Sequence, residues 1–154
     1  MVNRINPPHK RITPRVTYWA SFVLACLGFL DSTYLVIYKL TNNNAMCLGS
    51  GGCHDVNFSV YSEIRGVPIS VFGILAFLGI AGILLLEPHW KPAKDYGPLA
   101  IFGISLGGVA FTAFGTWLEL YVIHAICPFC VAAAGLIALI FILAVIRLVK
   151  QTSN

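Results

Sequence analysis

Cys127-Pro128-Phe129-Cys130 is the stretch of this chain best suited to chemistry. Two sulfurs three residues apart share a helix face and can approach bonding distance. Pro128 suits the first turn of a helix, where its missing N–H leaves nothing unsatisfied. Cys127 is then the expected N-cap, with Cys130 one turn inside. Both sulfurs sit near the positive end of the helix, which favours thiolate and makes sulfur reactive. A structural staple gains nothing from that activation, whereas a redox pair does.

A second pair brackets "CLGSGGC", Cys47 to Cys53. Three glycines and a serine between these sulfurs make the segment pliable, so each sulfur can meet a different partner at a different moment. Structural disulfides are the plainer reading of all four cysteines. Zinc is a further one, because His54 and His124 lie close by in sequence. The spacing from Cys47 to Cys53 is wider than in the usual zinc knuckle, which disfavours it. The fifth cysteine, Cys26, lies mid-span and reads as a small buried hydrophobe.

The elements that must position these sulfurs are membrane spans. The chain is 58% hydrophobic and 10% charged, and its mean hydropathy is +0.82. A span needs about 20 mostly apolar residues. Four windows qualify, at roughly 17–39, 67–86, 98–121 and 126–148. The expected fold is all-α, an integral membrane four-helix bundle over residues 17–149. Basic tails flank it at 1–16 and 150–154.

The net charge of +4 does not imply nucleic acid, because its placement follows the membrane. Arg4, Lys10, Arg11 and Arg15 precede span one. Lys91 and Lys94 separate spans two and three, and Arg147 and Lys150 close span four. Only Lys39 and Arg65 lie on the other side. By the positive-inside rule both termini are cytoplasmic. The loop after span one and the turn near His124 then face outward, gathering four cysteines on the side where disulfides persist. "EPHWKPAKDYGP" reads as a connecting loop with Trp90 and Tyr96 as interfacial anchors.

Between Cys53 and span two, "HDVNFSVYSEIRGVP" suggests a short amphipathic helix lying on the outer rim as a cover. Asp55 would be its N-cap, with Val56, Val60, Tyr61 and Ile64 on one face. Alternation at Val56, Phe58 and Val60 would also suit a strand. Pro68 is expected in the first turn of span two. Two carboxylates fall within or near hydrocarbon. Asp31 lies about 12 Å below the outer end of span one, and is open to structural hydrogen bonding or to proton supply. Glu119 closes span three and reads as a snorkelling interfacial residue rather than a catalytic one.

Four spans, a two-cysteine loop after the first, "GVPISVFG" opening the second and a CxxC opening the fourth resemble the vitamin K epoxide reductase family. The resemblance runs from about Trp19 to Arg147. It implies a membrane oxidoreductase that couples thiol–disulfide exchange outside the membrane to a quinone, of the ubiquinone or menaquinone class, held in the bundle. It implies that Cys127 and Cys130 are the active-site pair, with Cys130 nearest the quinone. Cys53 would be the loop cysteine that bonds Cys127, and Cys47 the one that meets the outside thiol partner. Ser59 falls where bacterial relatives carry a serine.

Some bacterial relatives carry a fused thioredoxin-like domain after span four. Here the sequence ends at Asn154, so the expectation is a separate periplasmic thioredoxin-like partner, with the enzyme in a bacterial inner membrane. Ala134 stands where the animal enzymes have tyrosine, which favours ordinary quinone reduction over vitamin K epoxide reduction. The quinone needs two protons, which Asp31, His124 or water could supply. A metal transporter or chaperone using soft sulfur ligands and a non-catalytic membrane protein with structural disulfides are the alternatives.

Overall fold

A computed structural model describes residues 14–41 and 51–153 of the chain. Among the described residues five α-helices run in the order α1 (Pro14–Thr41), α2 (Gly51–Asn57), α3 (Ile69–Leu86), α4 (Lys91–Leu118) and α5 (Pro128–Thr152). Four of them, all but the seven-residue α2, are long and apolar enough to cross a membrane. Their outward faces carry exposed Leu30, Leu75, Phe114 and Ile142. That is the arrangement lipid requires, because the solvent around such a bundle is itself apolar.

α1 packs on α3 and α5, and α4 packs on α5 and α3. Their shared core is Ala25, Phe77, Ile80, Leu84, Ile101, Ile137, Ile140 and Ala144. Small residues set the helix spacing, as membrane interfaces favour. A Cβ on Gly28 would overlap the Phe77 ring, and one on Gly108 would lie 2.7 Å from Ile137. A second buried cluster caps this core at one end. It consists of Leu35, Tyr38, Cys53 and Cys127, with Val56, Phe129 and Cys130 packed against it.

The third long helix starts seven residues before the expected Pro98. Pro92 lies in its first turn, a position that suits proline, so the segment expected as a loop from Lys91 is already helical. Pro98 is consequently inside α4 and buried. Trp90 and Tyr96 are exposed.

The cover over the sulfur end also differs from the expectation. α2 begins at Gly51, so Asp55 lies inside it rather than capping it, and the helix stops at Asn57. A 3-10 turn at Val60–Ser62 follows. Then come two short strands, β1 (Glu63–Ile64) and β2 (Val67–Pro68), paired antiparallel with Ile64 opposite Val67. The turn between them is Arg65-Gly66, with φ of 54° and 81°. Two consecutive positive φ values make the hairpin turn that matches strand twist, and this breaks the amphipathic helical pattern after Val56. Pro68 precedes α3 instead of lying within its first turn.

Lys39, at the end of α1, holds the cover down. Its Nζ donates to Ser62 Oγ at 2.7 Å and lies 3.0 Å from Glu63 Oε1. Ser62 Oγ in turn reaches the carbonyls of Asn57 and Ser59, at 2.6 and 2.7 Å.

Candidate active site

α4 ends in a π-helical turn at Glu119–Ile123, closed by His124 in the left-handed conformation with φ of 55°. The Glu119 carbonyl accepts from the His124 and Ala125 N–H groups, the latter at 3.1 Å. A π turn inserts one residue beyond the α repeat and is common where function needs a side chain re-aimed. Here the re-aimed side chain is Glu119. It is buried, and its Oε2 accepts the Cys127 backbone N–H at 3.3 Å. This corrects the expectation of a snorkelling residue. The carboxyl also meets the Cys130 side chain as a hydrogen-bond partner, and among the described residues no basic side chain pairs with it.

Cys127 is the N-cap of α5, as Pro128 leads one to expect. Its Sγ accepts the Cys130 N–H at 3.4 Å. Cys127 and Cys130 are both free thiols, whereas Cys53 is disulfide-bonded. The Cys127 thiol is held below the ordinary thiol range, first by the hydrogen bond from the Cys130 side chain. The Cys130 and Phe129 backbone N–H groups add to this, against burial and the nearby Glu119 carboxylate, which push upward. The N-cap sulfur is therefore the stabilised thiolate, with the Cys130 S–H as its donor.

Cys53 and Cys127 are fully buried in the same cluster. The Asn57 side-chain amide touches both sulfurs, lying 3.7 Å from Cys53 Sγ and 3.9 Å from Cys127 Sγ. It is fixed by donating to the Cys53 carbonyl at 3.0 Å. Gly52 allows α2 to come this close. A Cβ there would lie 2.5 Å from the Ile126 carbonyl oxygen, so a larger residue would lift α2 off the segment leading into Cys127.

Beside the pair opens a cavity of about 440 Å³, walled mostly by apolar residues of α3, α4 and α5, with the cover over its mouth. Cys130 and Glu119 are in its wall, as are Asn57, Ser59, Phe111 and Ala133. Cys127 is absent from that wall, so Cys130 is the sulfur exposed to an occupant. An apolar space of this size, with a few polar groups at one end, suits the flat ring of a small lipophilic molecule.

Ser59 thus reaches the cavity, with its hydroxyl donating to the Val56 carbonyl at 2.8 Å. Asp31 and His124 do not line it. His124 is exposed, and Asp31 Oδ2 is buried in α1 without a hydrogen-bond partner among the described residues. Cys47 lies outside the described residues. His54 stacks on Phe58 with ring centroids 4.6 Å apart.

Asn57 and Glu119 are the residues that sequence reasoning missed as site members. Asn57 carried no signal beyond being polar on a predicted apolar helix. Glu119 carried one, a carboxylate eight residues before a cysteine pair at the end of an apolar span, which was read as interfacial.

The sequence model described as "Vitamin K epoxide reductase family" matches residues 19–145. A thiol-disulfide oxidoreductase of Arabidopsis thaliana, LTO1, is 31% identical over 123 residues. The match covers 75% of this chain and 32% of that protein, so the chain spans about a third of the relative's length.

Proposed function

This chain belongs to the vitamin K epoxide reductase family, and on that premise we propose that it is a quinone-dependent thiol oxidoreductase of the membrane. Its task is to reoxidise a separate thioredoxin-like protein in the periplasm of a bacterium, which in turn installs disulfides in secreted proteins. Both termini lie in the cytoplasm in this reading, because the basic residues cluster at the ends and in the loop between α3 and α4.

The observation that carries the proposal is the serial placement of three sulfurs. Cys53 and Cys127 share one buried cluster and one amide neighbour, and Cys130 alone of the CxxC pair borders the apolar cavity. A reduced partner attacks the Cys47–Cys53 disulfide at Cys47. The Cys53 thiolate released then attacks Cys127 in the Cys127–Cys130 disulfide and frees Cys130. Each exchange is thiolate attack on a disulfide sulfur, so its rate depends on thiolate fraction and access.

Asn57 holds the attacking and receiving sulfurs beside one another and donates to whichever is anionic. The hydrogen bonds that lower Cys127 also make it the better leaving group when the mixed disulfide is resolved. A quinone in the cavity supplies a two-electron acceptor, and the apolar wall keeps water from the half-buried Cys130.

The test uses purified protein in lipid nanodiscs with a short-chain ubiquinone and a reduced thioredoxin-like protein. Quinone absorbance falls with the wild type and stays constant with Cys130→Ala. If the reduced protein drives no loss of ubiquinone or menaquinone absorbance in the wild type, the proposed activity is wrong.

A further inference from the structure

We infer that Glu119 is the proton carrier of the quinone half-reaction, taking the Cys130 proton and returning it to a quinone oxygen; this rests on the quinone-reducing function proposed above. Three side chains at this end of the bundle could carry a proton. Asp31 is outside the cavity wall, and His124 is exposed and also outside it. Glu119 is buried, lies in the wall beside Cys130, and is tied to the reacting pair by the 3.3 Å bond from the Cys127 N–H.

The arrangement has a feature that packing alone does not require. A buried carboxylate is normally neutralised by a cation, and none of the described basic side chains reaches Glu119. Its neighbours are instead a thiolate-prone sulfur and a thiol. Two negative charges at this spot oppose each other, so a proton on Glu119 favours the Cys127 thiolate, and a proton leaving Glu119 disfavours it. The Cys130 thiol can donate to either. A proton can therefore be passed among the three groups without crossing the apolar cavity.

The reduced pair starts as a Cys127 thiolate and a Cys130 thiol. The Cys130 proton moves to the Glu119 carboxylate while the Cys127–Cys130 bond forms. Two electrons leave the sulfurs for the quinone, the pair ends as a disulfide, and Glu119 gives its proton to a quinone oxygen. Water at the cavity mouth supplies the second proton of the quinol. Glu119 ends as it began.

Glu119→Gln keeps an oxygen for the Cys127 N–H and cannot carry the proton, whereas Glu119→Asp keeps a titrating carboxyl. Pre-reduced protein is mixed with excess short-chain ubiquinone and followed through one turnover. The Gln variant is expected to slow quinone reduction by about 100-fold, and the Asp variant to recover most of the loss.

Time-resolved infrared spectra recorded during that turnover should carry a carboxyl protonation band that rises and decays. That band should be shifted by Asp and lost in Gln, which a packing role would not produce. Quinone reduction by Glu119→Gln at the wild-type rate overturns the inference, as does a band unchanged by either substitution. If Gln prevents folding, the wild-type and Asp spectra decide by the same criterion. A wild type that reduces no quinone defeats the proposed function; a wild type that does, matched by Glu119→Gln, defeats only the role of Glu119.

Discussion

Two glutamates are buried at opposite ends of α4, and their neighbours distinguish scaffold from site. Glu87, just before the helix, meets Arg147 of α5 with Oε2 2.7 Å from the guanidinium, and both side chains are largely buried. Gly97 leaves it room, since a Cβ there would lie 2.9 Å from Glu87 Oε1. Glu119, just after the helix, has a peptide N–H and a thiol instead of a cation. A carboxylate facing an arginine has its charge fixed and ties one helix to another. One facing exchangeable protons can change state during a reaction. The same side chain is architecture at one end and chemistry at the other.

That contrast is sharpest when the two are altered in parallel. Glu119→Gln should lower quinone reduction by about 100-fold and leave the melting temperature close to wild type. Glu87→Gln should do the reverse. Weakening the partner of a buried Arg147 costs about 3 kcal/mol, visible as a lower thermal midpoint in nanodiscs, with an unchanged rate in the folded protein. Equal kinetic losses in the two variants would erase the distinction.

Asn57→Ala comes next in size. It removes the amide that touches both sulfurs, and a hydrogen bond worth roughly 1–1.5 kcal/mol corresponds to about tenfold slower exchange between Cys53 and Cys127. Single-turnover mixing of the reduced thiol partner with protein oxidised at both pairs measures it, and a normal exchange rate would remove Asn57 from the relay.

A smaller effect concerns the Cys127 thiol. Because folding holds it below the ordinary thiol range, its thiolate persists at pH values where an unfolded cysteine is protonated. The associated stability is present above the unfolded pKa and is lost as pH falls through the lower, folded one. Cys130→Ala removes the largest cause of the lowering. The thiolate absorbance attributable to Cys127, taken as the difference from Cys127→Ala, should therefore appear only at more alkaline pH in that background. An unmoved titration would show that the Cys130 hydrogen bond is not what holds the thiolate. The smallest effect belongs to Asp31→Asn, which should leave turnover unchanged because the residue is outside the cavity wall; a large loss would return Asp31 to the proton path.

The sequence made some of this legible and concealed the rest for identifiable reasons. Long apolar windows revealed the spans, since a helix in lipid satisfies its own backbone and needs little else. Pro128 announced the start of α5 and thereby the N-cap position of Cys127. Glu119 was misread because a π turn shifts the register of the residues after Leu118, and an apolar period of 3.6 carries no mark of that shift. Asn57 was missed because its role depends on how closely α2 docks over Ile126, a tertiary contact allowed by Gly52. The cover was only half read, since Arg65-Gly66 gave no sign strong enough to outweigh the apolar spacing of Val56, Val60 and Ile64.

The claim beneath all of this is that the loop sulfur passes its electrons to the sulfur at the head of α5. It is tested most directly in Cys130→Ser, where Cys127 has lost its resolving partner. Non-reducing peptide mapping of that variant should find a disulfide joining Cys53 to Cys127 as the main cross-linked species. Recovery of Cys127 only as an unlinked thiol, with Cys53 bonded elsewhere, would contradict the relay.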